Sequence, residues 1–313
     1  MTIKTGLLFA GQGAQFVGMG RDLAEAFPEC REVFTQANAV LGYDLAKLCF
    51  EGPENELVKS HHCQPAIFTV GMACYRALCC QHPALAVEVA AGLSLGEWSA
   101  LCMAESVSFE DGLRVLAARG RFMQEACETR AGAMLSVIGL PVEPLRKIAA
   151  AAGVEVANLN SPGQTVLSGS KTGLQQAEKL AGAAGAKRVV MLNVAGAYHS
   201  SFMASAAKRL EQFLQSVSIH SPRVPVISNV TGRPHGAPED IKRDMVRQVT
   251  SSVQWVSSIQ WIQQQGIQRY IECGPGRVLS GLVKRIHAGA VLLNVQDRSS
   301  LDKTLAALTF VAG

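Results

Sequence analysis

The stretch AGLSLGEWSA, residues 91–100, limits the fold more than any other part of the chain. An apolar, strand-like run from Leu85 to Ala91 leads into Gly92-Leu93-Ser94-Leu95-Gly96, and a helical pattern opens near Gly96. Small residues around a serine at a strand-to-helix turn permit a strained backbone that exposes the hydroxyl at the head of the helix. The Leu95 amide and the helix N-terminus then face any oxyanion formed there. A bare Gly-x-Ser-x-Gly also arises by chance, so a nucleophile and a structural glycine turn both stand as readings at this point.

The rest of the pattern is α/β. Ile3 to Ala10 reads as a buried strand, followed by the loop GQGAQ (11–15) and helical sequence to about Val40. Helical stretches follow at 53–60 and 64–81, and Ser108-x-x-Asp111 resembles a capping box opening another helix. From about 130 the units shorten and alternate: AMLSVIGL, VEPLRKIAAAAG, VEVANLN, TVLSGS, TGLQQAEKLAGAAG and KRVVMLNV. Their order is β-α-β-β-α-β, the ferredoxin-like unit, with NSPGQ (160–164) turning between the middle strands and glycine ending each helix. We therefore expect a large α/β-hydrolase-like lobe made of 1–129 and 196–313, with a small ferredoxin-like lobe inserted at 130–195. Beyond it, helix is expected at 200–216, strand and turn in RVPVISNVTG, helix over 238–265, and a strand entering a turn in RYIECGPG.

Composition narrows the function classes. Hydrophobic residues make up 48% and charged residues 17%, the balance of a globular chain. No apolar run approaches a membrane span, and Met1 to Ala10 lacks the features of a signal peptide, so the cytoplasm is the expected compartment. The nine cysteines include no C-x-x-C pair and read as reduced core thiols rather than a disulfide or metal framework. The net charge of +4 comes without a long basic run, which argues against nucleic acid and leaves room for an acidic partner.

The glycine loop at 11–15 invites a nucleotide reading that fails on inspection. Phe16 stands where a dinucleotide fingerprint needs its third glycine, and Met19 where a phosphate loop needs lysine. A loop in that position can instead bring the Gln12 amide near a reaction centre.

A serine nucleophile needs a base. His61, His62, His82, His220, His235 and His287 lie in polar or loop-like sequence and read as surface residues. His199 differs, because it follows a strand and the flexible AGAY, from which an imidazole can project into a cleft. An ordinary hydrolase places an acid between serine and histidine in chain order. The candidates Asp111, Glu125, Glu128, Glu143 and Glu155 all read as helix-surface or small-lobe residues; a backbone carbonyl can orient the imidazole instead, a departure from a standard esterase.

The segments GQGAQ (11–15), GLSLGE (92–97), RGRFMQEA (119–126), NLNSPGQTVLSG (158–169), GAYHS (196–200), QVTSSVQW (248–255) and ECGPGRVLSGLVKRI (272–286) resemble the malonyl-CoA:acyl-carrier-protein transacylase family in order and spacing. The resemblance covers nearly the whole chain, and the family carries a ferredoxin-like insert. It implies Ser94 as the nucleophile that takes up malonyl and His199 as its general base. It implies Arg119 as the partner of the free malonyl carboxylate, and Gln248 as the residue whose main-chain carbonyl orients the histidine. The amides of Gln12 and Leu95 become the oxyanion hole.

The implied reaction is ping-pong: malonyl passes from malonyl-CoA to Ser94, then to the phosphopantetheine thiol of holo-acyl carrier protein. No bound cofactor or metal is implied, and a monomer is expected by likeness. Carrier proteins are acidic, which singles out Lys187, Lys284 and Arg285 as docking residues. Two departures stand out. Leu93 replaces the histidine that usually precedes the nucleophile, and Tyr198 replaces the phenylalanine of malonyl-selective members, keeping the ring and adding a hydroxyl. The GLSLGE form also resembles stand-alone acyltransferases that serve polyketide assembly lines. A serine thioesterase and a non-catalytic carrier-binding module are the rival classes.

Overall fold

A computed structural model describes residues 3–309; the ends assigned to the large lobe, 1–2 and 310–313, lie outside the described residues. Two four-stranded sheets organise the chain. The first is parallel, in the order β2 (Val89–Gly92), β1 (Thr5–Phe9), β7 (Arg269–Cys273), β8 (Val291–Val295). The second is antiparallel, in the order β4 (Glu155–Ser161), β5 (Gln164–Gly169), β3 (Ala133–Ile138), β6 (Arg188–Met191).

Strands β1, β2 and β7 are buried along their whole length, which is why they read as continuous apolar runs rather than alternating ones. Their carboxyl ends carry the glycine loop at 11–15, the serine turn and the Gly274-Pro275 turn, and the edge of such a sheet is where α/β folds build their sites. Beside β2 runs the segment after Arg223: Pro225 accepts from the Ala90 amide and Ile227 donates to the Ala90 carbonyl. This backbone pairing delivers Asn229 to the turn at Ser94.

The small sheet has the expected β-α-β-β-α-β order, with the helices Val142–Ala152 and Lys171–Ala183 packed on it around Leu135, Leu145, Leu167 and Leu174. Its β4 is tied to the large sheet's side by a backbone exchange, Leu159 donating to Val253 and Val253 to Ala157. That exchange corrects one expectation. The helix read over 238–265 is two, Pro238–Gln248 and Trp255–Gln264, because the chain between them is pulled into bridge pairing with β4.

Other bounds differ more mildly. Leu85 to Val87 is irregular ahead of β2, and the amino-terminal helical stretch divides into Arg21–Ala26 and Pro28–Leu41. All nine cysteines are free; Cys80 is exposed and Cys79 half-buried, while the others lie in the core as expected.

The serine turn is set by clearance. A Cβ on Gly92 would fall 2.0 Å from the Gly96 carbonyl carbon, and one on Gly96 would fall 2.2 Å from the Phe9 carbonyl oxygen. Both positions are backbone against backbone, so no side chain can yield. Gly96→Ala is expected to lower stability by about 1–3 kcal/mol, read as a lower urea midpoint with the slope unchanged.

Candidate active site

Ser94 sits at φ 55°, ψ −105°, outside the regions an L-residue favours, directly ahead of the helix Leu95–Met103. Such backbone strain costs about 1–3 kcal/mol and persists only when the surroundings overdetermine it. Asn229 does that here: its Oδ1 accepts from the Ser94 amide at 2.7 Å while its Nδ2 donates to the Gly92 carbonyl at 2.8 Å. Neither the Ser94 side chain nor any other caps the helix, and the Leu95 amide has no partner among the described residues.

His199 faces the serine from the loop that leaves β6. It too has positive φ, 56°, a left-handed bend that turns the imidazole back into the large lobe. Its Nε2 lies 2.9 Å from Ser94 Oγ and its Nδ1 2.8 Å from the Gln248 main-chain carbonyl. A carbonyl only accepts, so Nδ1 carries the proton and Nε2 presents a lone pair to the hydroxyl. None of the five candidate acids reaches the imidazole; Glu155 instead accepts from the amide and hydroxyl of Ser201.

Arg119 comes from the helix Phe109–Thr129, which opens as expected on the Ser108 side chain accepting from the Asp111 amide. This helix crosses Ser60–Gln81 so closely that a Cβ on Gly120 would lie 2.3 Å from the Ser60 carbonyl oxygen. The contact seats Arg119, 1% exposed, beside the Ser94 hydroxyl. Its Nη1 donates to Gln64 Oε1 at 2.7 Å, and its Nη2 to Gln248 Oε1 at 2.9 Å and Ser94 Oγ at 3.0 Å. Its Nε is buried without a partner.

Burial, opposed by the Glu97 carboxylate, brings the guanidinium down to about 10, so it remains charged at neutral pH. Burial and then the Arg119 charge push His199 down to about 4, against the raising effect of the Gln248 carbonyl. The imidazole is therefore neutral and ready to accept a proton at physiological pH.

The structure thus brings Ser94, His199, Gln248 and Arg119 together. The Gln12 amide, on the loop that abuts Leu93, has no partner among the described residues, while the Gln12 side chain donates to Ser60 Oγ at 3.4 Å. Ser60 Oγ also pairs with the Tyr198 hydroxyl at 2.8 Å, so the extra oxygen of Tyr198 is satisfied locally. Leu93 packs with the apolar cluster of Ile227 and Trp255, where an imidazole would have needed a partner. Lys187 and Arg285 line one cleft of about 880 Å³ between the small sheet's turns and the helix Trp255–Gln264; Lys284 is the neighbour of Arg285 on the last turn of Val278–Ile286.

Sequence reasoning missed Gln64 and Asn229, which carry no motif, and misplaced His235. The His235 side chain is fully buried, its Nε2 2.7 Å from the equally buried Glu97 Oε1. Its loop-like setting suggested the surface, but Pro234 bridges Ile227 and the His235 amide donates to the Val226 carbonyl, which draws the segment inward.

The acyl transferase domain family matches residues 7–289. The chain is 37% identical over 310 residues to the malonyl CoA-acyl carrier protein transacylase of Bacillus subtilis, covering 97% of each. The solved malonyl CoA-acyl carrier protein transacylase of Coxiella burnetii superposes with a TM-score of 0.94 at 35% identity, covering 99% of this chain and all of that one. A type II PKS acyl-carrier protein in complex with its malonyl-transacylase gives 0.92 at 38% identity, over 97% of this chain and 99% of that one. The strained serine, carbonyl-held histidine and buried arginine thus stand in a chain that belongs to the acyl transferase domain family and, within it, to the malonyl CoA-acyl carrier protein transacylases.

Proposed function

We propose that this chain moves malonyl from malonyl-CoA to the phosphopantetheine thiol of holo-acyl carrier protein, in fatty acid synthesis, through a malonyl ester on Ser94. The observation that carries this is the buried guanidinium 3.0 Å from the serine hydroxyl. A charge held out of water with no carboxylate in direct contact is costly, and a dicarboxylic acyl group supplies the missing anion. A hydrolase of simple acyl groups has no use for it.

In the first half-reaction Ser94 Oγ attacks the thioester carbonyl and its proton passes to His199 Nε2. The Gln12 and Leu95 amides receive the oxyanion, the C–S bond breaks, and CoA leaves as a thiol with the proton from His199. In the second half the carrier's thiol gives its proton to His199 and attacks the ester, and Ser94 recovers that proton as it leaves. Gln248 holds the imidazole through its carbonyl, and Arg119 holds the malonyl tail. Lys187 and Arg285 on their shared cleft, with Lys284 beside them, fit the acidic carrier. The enzyme is read as a monomer acting in the cytoplasm; no helix among the described residues is long and apolar enough to cross a membrane.

The test is intact mass after incubation with malonyl-CoA, followed by addition of holo-carrier protein. The adduct is expected on wild type, absent in Ser94→Ala, and discharged to the carrier faster than to water. No adduct, or one that Ser94→Ala retains, would refute the assignment, and prompt loss to water would make the chain a hydrolase. Discharge to a polyketide carrier but not to a fatty acid carrier would move the enzyme to the other pathway.

A further inference from the structure

Behind the site lies a buried group the mechanism does not use. Glu97 is 0% exposed and lies in the first turn of the helix Leu95–Met103 that follows Ser94. Its Oε2 accepts from Gln248 Nε2 at 2.6 Å and from the Asn229 amide at 3.1 Å; its Oε1 accepts from His235 Nε2. Gln248 and Asn229 in turn hold groups of the site. Asn229 fixes the Ser94 amide, and Gln248 fixes His199 through its main chain and Arg119 through its side chain.

We propose that Glu97, itself fixed by His235, is a positioning residue that sets the amide orientation of Gln248 and through it the register of Arg119 and the Ser94 carbonyl; this rests on the transacylase reading above. A glutamine amide has one donor end and one acceptor end of nearly the same shape. Arg119 can only donate, so Oε1 must face it, and Nε2 must then face the Ser94 carbonyl, 2.9 Å away, and Glu97. A carboxylate has no hydrogen to donate and therefore forbids the flipped amide. Glutamine at 97 can donate, and so lifts the share of the penalty on the flip that the carboxylate imposes, leaving the Ser94 carbonyl and the guanidinium to oppose it alone.

His235 closes the set from the other side. Its Nδ1 is buried without a partner, so the bond from Nε2 to Glu97 is what holds the imidazole. Glu97, fixed in this way, supports the charge of the Arg119 guanidinium. Asp244 and Arg247 on the helix Pro238–Gln248 pair with each other at 3.2 Å.

The test measures single-turnover acylation of Ser94 by malonyl-CoA and by acetyl-CoA, each normalised to the fraction of protein that acylates. Glu97→Gln is expected to lower the malonyl rate by about 10²-fold, the scale of a small misplacement at a reacting centre, and to lower the malonyl-to-acetyl ratio about tenfold, because Arg119 loses its fixed partner. His235→Leu should shift the ratio the same way, and His235→Gln, which offers an amide donor near the Nε2 position, should recover most of it. A purely structural role would reduce the acylating fraction and leave the normalised ratio at its wild-type value, which would overturn the proposal. Should His235→Leu fail to fold, Glu97→Gln, almost identical in volume, decides the matter alone. Failure of wild type to load malonyl would sink the transacylase reading instead, and is a separate outcome.

Discussion

Replacing Arg119 with alanine is expected to cut malonyl loading of Ser94 by about 10²–10³-fold while acetyl loading falls less than about tenfold. The size follows from the fully buried position. Removing one partner of a desolvated charge pair costs about 2–5 kcal/mol, and each 1.4 kcal/mol is about a decade. The asymmetry follows from chemistry, since acetyl has no carboxylate to lose. The modest acetyl loss comes from the other bonds of the guanidinium: Gln64 and Gln248 would each keep an unpaired buried oxygen, and Ser94 Oγ would lose a donor. Arg119→Lys should recover little, because one ammonium cannot meet a carboxylate and two amide oxygens in the same plane. Stopped-flow or quenched loading with both thioesters reads the ratio directly. Equal loss for the two substrates would reduce Arg119 to a structural arginine.

The legible parts of this molecule are those whose cause is local. The serine turn was readable because glycine at 92 is demanded by backbone clearance from Gly96, four residues on, and the strand before it is apolar throughout. The small sheet was readable because strand and helix periods alternate and glycine ends its first helix. What failed was set at long range. Val249 to Gln254 continues an apolar helical pattern, and only the presence of β4 beside Val253 breaks it. The final pair, β8 and the helix Arg298–Thr309, was not read at all; β8 is an edge strand whose first residues are exposed or half-buried, so VLLNV gives a weak signal. Within the site, Ser94, His199 and Arg119 have side chains that announce their chemistry once the motifs are aligned. Gln248 holds the His199 imidazole through a main-chain atom, which no residue type encodes, and His235 meets Glu97 across 138 residues. Orienting groups are therefore harder to find in sequence than reacting ones, because any backbone carbonyl can do the work of an acid.

Removing the imidazole is expected to have the largest effect of all: His199→Ala should slow acylation by about 10³–10⁴-fold, towards the upper end for a general base because the same group must also protonate the leaving thiol. The pH dependence tests its environment as well as its presence. His199 titrates at about 4 in the free protein, lowered first by burial and then by the Arg119 charge. Above that pH the base is neutral and active, so kcat/KM for loading, which reports the free enzyme, should stay flat from neutral pH and fall only as pH approaches 4, with either thioester. The same shift makes folding stability fall as pH drops from about 6.5 towards 4, because over that window the unfolded chain binds the proton that the native site refuses. At saturating substrate the two thioesters should part. A malonyl carboxylate on Arg119 offsets the positive charge that depresses the imidazole, so its titration rises; acetyl leaves the charge uncompensated and the imidazole a weaker base. The acid limb of saturated acylation is therefore expected at higher pH for malonyl-CoA than for acetyl-CoA, and Arg119→Ala should move the acetyl limb upward. Coincident limbs would mean that Arg119 only tethers the tail, whereas separated ones make the true substrate the agent that raises the basicity of its own catalyst.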